Sequence, residues 1–183
     1  MKRIIPFLLL AFGVIVVGIF MLLWINKFNQ APFLANNKIS SFDECVLAGY
    51  PIQESYPRKC TAKGKIFTED IGNALEKQDL IILENPRPNS VVKNPLKIEG
   101  KARGNWFFEA DFPVKIVDQD GKVLGSTIAF TTSDWMTQEF VPFKANLTFK
   151  APATKKGKLI LEKDNPSGLK EKADFLEIPV KFE

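Results

Sequence analysis

Beyond residue 78 the chain settles into short segments in which apolar and polar residues alternate, the period of a half-buried strand. Phe143, Ala145, Leu147 and Phe149 point one way while Lys144, Asn146 and Thr148 point the other. Leu176, Ile178, Val180 and Phe182 repeat the pattern near the C-terminus. On this basis strands are predicted at 79–83, 96–102, 112–118, 122–130, 142–150, 157–162 and 175–182. About seven short strands separated by turn signals predict an all-β, immunoglobulin-like β-sandwich over 79–183. Asp118-Gln119-Asp120-Gly121 supplies a hairpin turn whose glycine takes a positive φ. Pro179 cannot donate to a ladder, so the last strand is expected at an edge.

The N-terminal pattern is different. From Ile4 to Trp24 the chain carries no charge, matching the roughly 20 residues a helix needs to cross a bilayer. Lys2 and Arg3 precede this run and only Lys27 lies close behind it. The positive-inside bias therefore places the N-terminus in the cytoplasm and the bulk of the chain outside, as a single-pass protein of the cell membrane. The competing reading is a cleaved secretory signal, for which the run is long and Asn29-Gln30-Ala31 and Phe33-Leu34-Ala35 are poor cleavage sites. Residues 25–41 show no period and read as a tether. The segment 42–70 holds both cysteines, and 71–78 reads as a second, short linker.

Charge and composition change the picture mainly by exclusion. Lys and Arg number 25 against 21 Asp and Glu, and no basic stripe interleaved with aromatics occurs, which argues against a nucleic-acid partner. Histidine is absent, which removes Ser-His-Asp and Cys-His catalysis and imidazole metal sites. Cys45 and Cys60 without histidine make a poor zinc site, and an anchor would place them in an oxidising space, so a Cys45–Cys60 disulfide is expected. No cofactor is expected.

The candidate chemistry gathers around Ala102–Pro113, where Trp106, Phe107 and Phe108 are framed by Gly104-Asn105 and by Glu109 and Asp111. Two readings stand. The aromatics form an exposed platform for a sugar or peptide, or they are core, with Trp106 and Phe108 sharing one face and Phe107 opposed. Glu109, Asp111, Asp134 and Glu139 lie in loops beside Trp106 and Trp135. They read either as turn caps and partners of Arg103, or as a calcium site or glycosidase-type carboxylate pair. Tentative binding residues are Trp106, Phe107, Glu109, Asp111, Asp134 and Trp135.

Two resemblances extend this. Cys45-x-x-x-Gly49-x-Pro51, Tyr56-Pro57-x-x-Cys60 and Gly64-x-x-Phe67 resemble a short two-cysteine motif found between anchor and ectodomain in membrane-tethered bacterial proteins. Asn85-Pro86-Arg87-Pro88-Asn89-Ser90-Val91-Val92, Pro95–Arg103, Asn105–Glu109, Asp120-Gly121-Lys122, Asp134–Thr137 and Asn165-Pro166-Ser167-Gly168 resemble the immunoglobulin-like domain of bacterial spore germination proteins. That domain accompanies a sporulation and germination domain, GerMN, in other members, and no such second domain is recognisable here. The resemblance implies a non-catalytic extracytoplasmic module that contacts an envelope protein or wall polymer. The alternatives are a structural spacer, and an enzyme acting on envelope glycans through Glu109 with Asp111 or Asp134.

Overall fold

A computed structural model describes residues 38–183. The expected membrane span at 4–24 and all but the end of the 25–41 tether lie outside the described residues, among which no helix is long and apolar enough to cross a membrane. The chain divides into two units, Met1–Glu69 and Asp70–Glu183.

The first unit opens with helix α1, Phe42–Leu47. Ser41 caps it by accepting the Glu44 N–H at 3.2 Å, and the Glu44 carboxylate reaches back to the N–H and hydroxyl of Ser40 at 2.8 and 2.7 Å. This is a reciprocal cap that spares orphan donors in the first turn. The two Ser40 bonds hold the Glu44 carboxyl below its usual range. Strands β1 (Ile52–Gln53), β2 (Lys59–Ala62) and β3 (Lys65–Thr68) follow as an antiparallel sheet in that order. Lys63 and Gly64, at φ 48° and 76°, make the two-residue turn joining β2 to β3.

Among the described residues the core of this unit is small: Phe42, Cys45, Cys60 and Ala62. A Cys45–Cys60 disulfide joins the helix to β2 across 15 residues of sequence. Closing a loop of that length contributes about 3 kcal/mol by the loop-entropy argument, more than so few buried side chains leave after ordering costs. Arg58 adds a two-pronged pair to Glu69, Nε to Oε2 at 2.8 Å and Nη2 to Oε1 at 2.6 Å, while its guanidinium lies 5.4 Å from the Phe42 ring. The chain's two tyrosines, Tyr50 and Tyr56, both belong to this unit.

In the second unit a one-turn helix α2 (Ala74–Lys77) precedes eight strands. These are β4 (Ile81–Asn85), β5 (Val91–Val92), β6 (Leu96–Arg103), β7 (Asp111–Asp118), β8 (Val123–Phe130), β9 (Phe140–Leu147), β10 (Lys156–Glu162) and β11 (Phe175–Phe182). Their hydrogen-bonded order is β4-β6-β9-β8-β7-β10-β11-β5. Within it β8 and β9 are joined by the single pair Phe130↔Lys144, whereas β6 and β9 pair along the whole of β6. The order therefore falls into a three-strand half and a five-strand half. Phe112 of β7 meets Phe143 of β9 edge to face, centroids 4.9 Å apart, although β8 stands between their strands. The two halves are thus folded face to face, with the predicted alternation in β9 and β11 turning Phe143, Ala145 and Leu147 toward Leu176, Ile178 and Val180 in one core.

The Asp118–Gly121 hairpin forms as expected. Gly121 sits at φ 82° and donates to the Asp118 carbonyl at 3.0 Å. The nearly buried Asp118 carboxylate accepts the N–H groups of Asp120 and Lys122 at 3.1 and 2.9 Å, so it closes the turn and is spent there. β5 lacks a sequence signal, since two residues carry no period.

The edge expectation for Pro179 holds for most of the strand. Only Lys181 and Phe182 of β11 pair with β5, in parallel. The rest of that edge is sealed by segments arriving before β4 and β5. Asn89 donates its N–H to the Pro179 carbonyl at 2.7 Å, on the side where proline has no donor of its own. Asn73 works as a strand substitute. Its Oδ1 accepts the Glu177 N–H at 2.7 Å, its N–H donates to the Glu177 carbonyl at 3.2 Å, and its Nδ2 donates to the Phe175 carbonyl at 2.9 Å. Gly72 makes that approach possible, because at φ 66° a Cβ there would overlap the Glu177 carbonyl. Residues 71–78 are accordingly part of the second unit, with Ile71 buried, rather than a free linker.

Two outcomes follow. Asn73→Ala leaves the Glu177 N–H without its acceptor and is expected to cost about 1–3 kcal/mol, read as a lower urea midpoint; Asn73→Asp, which keeps the acceptor, should fall between. Replacing both cysteines by serine should collapse the dispersion of the Tyr50 and Tyr56 ring resonances, and unchanged tyrosine spectra would show that the first unit does not depend on its disulfide.

Candidate functional site

Three loops meet at one end of the sandwich: the β6–β7 connection, the β8–β9 connection and the chain leaving β10. The Thr131 N–H donates to the Ala110 carbonyl at 2.9 Å, and the Asp164 N–H donates to the Trp106 carbonyl at 3.0 Å. A Cβ on Gly104 would overlap the carbonyl oxygens of Trp135 and Thr137, so only glycine lets the first two loops close on each other.

The aromatic stretch divides in a way that strand periodicity does not predict. Gly104–Trp106 forms a 3-10 turn, which breaks the alternation and sends two neighbouring rings inward. Trp106 is fully buried, its indole Nε1 without a hydrogen-bond partner among the described residues. Phe107 is also buried and meets Phe112 edge to face at 5.3 Å. An exposed platform built on Trp106 and Phe107 is therefore not what this geometry offers, and Phe107 does not oppose Trp106. The ring left outside is Phe108, at 42% exposure.

Phe108 and Asp111 close a two-residue turn, the Phe108 N–H donating to the Asp111 carbonyl at 3.1 Å and the Asp111 N–H to the Phe108 carbonyl at 3.2 Å. Its central residues, Glu109 and Ala110, lie at φ 52° and 69°, a mirror-image turn normally made by asparagine and glycine. Left-handed backbone costs roughly 1–2 kcal/mol for each such residue. The turn holds Glu109 in solvent beside the half-buried Asp111.

Burial, the charge on Asp164 and the charge on Glu109 together push the Asp111 carboxyl above its usual range. Glu109 and Asp111 thus lie on one turn, and Asp164, which sequence reasoning missed, also acts on Asp111. Asp134 and Trp135 sit on the neighbouring loop. Asp134 is exposed and accepts the Met136 N–H at 3.1 Å, a turn cap, while Trp135 is half-buried against the core. Glu139 lies 3.8 Å from Arg103, whose guanidinium also donates to the carbonyls of Asp79 and Gln138 and covers the Phe140 ring at 4.1 Å. Met136, 79% exposed, was also missed, because a lone methionine in a polar loop carries no pattern. Among the described residues no group of three or more Cys, Asp or Glu side chains is placed to hold a metal ion. What remains is a set of acids and two exposed apolar side chains, Phe108 and Met136, on joined loops, a composition suited to contact.

Two largely antiparallel sheets packed face to face, with three loops gathered at one end, define an immunoglobulin-like β-sandwich. Residues 80–169 match the family model for the immunoglobulin-like domain of bacterial spore germination. Comparison with curated proteins and with solved structures gave no match.

Because folding raises the Asp111 pKa, the carboxyl's contribution to stability is fully present below its unfolded value of 3.8 and is lost as pH rises through the folded value. Asp111→Asn should therefore raise the thermal midpoint at pH 7 and leave it unchanged at pH 3. A lower midpoint at pH 7 would show instead that the carboxylate is held by a favourable partner.

Proposed function

We propose that the chain is a membrane-anchored, extracytoplasmic binding module of the bacterial cell envelope, acting without catalysis through the loop end of its sandwich on a protein or wall polymer. The carrying observation is that exposed Phe108 and Met136 and the acids Glu109, Asp111, Asp134 and Asp164 all lie on loops joined to one another at this end of the sandwich. Rigid frameworks presenting variable loops are where recognition concentrates, and a central apolar contact ringed by charge is the usual anatomy of a contact surface. Anchorage is supported by the uncharged run Ile4–Trp24 with Lys2 and Arg3 before it, and an oxidising location by the disulfide. A germination-type envelope role is supported by the family alone.

The test is a pull-down from envelope extracts with the full-length chain in mild detergent, beside a Phe108→Ala, Met136→Ala form. Met136 is 79% and Phe108 42% exposed, so the double variant should keep its fold, which a thermal melt checks. Capture by the wild type that falls at least tenfold in the double variant is expected. Equal capture by both would remove the loop end as the contact surface, and no capture by either would favour a structural spacer.

A further inference from the structure

A second recessed surface lies away from the loop end, at the start of β6 rather than at its finish. The eight residues of β6 separate the two by roughly 23 Å. It is a groove of about 420 Å³, formed by the end of β4, the turn before β5, β5 itself and the entry to β6. β4 and β5 are the two terminal strands of the sheet order, so the groove runs along the seam where both halves of the sandwich present an open edge.

The backbone of that seam is free to pair. On β11's side Lys181 engages the Ser90 carbonyl at 2.9 Å, and strand alternation then turns the N–H and carbonyl of Val91 the other way. Val91 lines the groove and is 55% exposed. The charges of the lining are one-sided. Arg87, Lys93 and Lys97 face a single acid, Glu84. Lys93 pairs with Glu183 at 2.9 Å and Lys97 with Glu99 at 2.7 Å, both solvent-exposed pairs of small worth that an incoming anion can replace. Arg87 makes no ion pair among the described residues.

The turn that carries Arg87 is held at its backbone. The Ser90 hydroxyl and N–H both donate to the Arg87 carbonyl, at 2.7 and 3.2 Å. Asn89 pins the same turn through its N–H to Pro179 and its Nδ2 to the Asp70 carbonyl, each 2.7 Å. The open edge and an excess of positive charge thus coincide in one recess.

We infer that this groove docks an extended acidic peptide of a partner protein, added as a strand along the seam, with main-chain bonds at Val91 and its carboxylates against Arg87 and Lys97. Strand addition supplies affinity through the backbone, and the cations select among sequences by charge. This surface is separate from the loop end and does not depend on the function proposed there.

The experiment probes an array of random heptapeptides with the full-length chain in mild detergent. Captured peptides should be enriched in Asp and Glu at alternate positions. Arg87→Glu should lower their capture at least tenfold, with Lys97→Glu as a second variant if melting shows the first to be misfolded, and Phe108→Ala, Met136→Ala should leave it intact. Methylating alternate backbone nitrogens of a captured peptide should abolish its binding. An array without acidic enrichment, capture indifferent to both charge reversals, or binding that survives backbone methylation would each overturn the proposal. So would capture of poly(glycerol phosphate) in place of any peptide.

Discussion

The sandwich depends on aromatic contact across its middle. Its two halves share one ladder pair, Phe130↔Lys144, so backbone hydrogen bonds do little to set one sheet against the other. That alignment rests on the chain of rings from Phe107 to Phe112 to Phe143, each pair edge to face. Such pairs contribute about 0.5–1.5 kcal/mol beyond the area they bury, and their geometry is directional in a way aliphatic packing is not. Phe107 comes from the same short turn that buries Trp106, so the element that locks the sheets together also fixes the loops at that end. Stability and loop geometry share residues here, which is why the exposed Phe108, and not its buried neighbours, is available for contact.

The two units meet the same thermodynamic problem differently. The second has enough chain to bury a continuous core from Ile81 to Phe182 and closes exposed backbone along β11 with the Asn73 side chain and the Asn89 N–H. Among its described residues the first buries only a handful and is held by a covalent link and a charged fork, Cys45–Cys60 and Arg58–Glu69. A side chain standing in for a strand suits a large core with one edge to protect. A cross-link suits a segment too short to have a core worth protecting.

Much of the fold was legible because strand periodicity is a local property. Phe143, Ala145 and Leu147, or Leu176, Ile178 and Val180, announce their facing without reference to anything distant, and Asp118–Gly121 announces its turn. The errors fall where a local reading meets a long-range cause. Residues 71–78 look like a linker until Asn73 finds Glu177 a hundred residues on. Trp106 and Phe108 were assigned one face by a period of two, but the three-residue turn ending at Trp106 resets that period. Asp164 joins Asp111 only through the fold, and no spacing in the sequence points from one to the other.

The seal along β11 has a mechanical side. The chain comes into the second unit beside β11, gripping it through Asn73 and again through Asn89 and β5, and β11 is the last strand. Tension applied across this unit is therefore carried between adjacent segments of one edge. Because β5 and β11 run parallel, a pull along them loads their hydrogen bonds together in shear instead of opening them one after another.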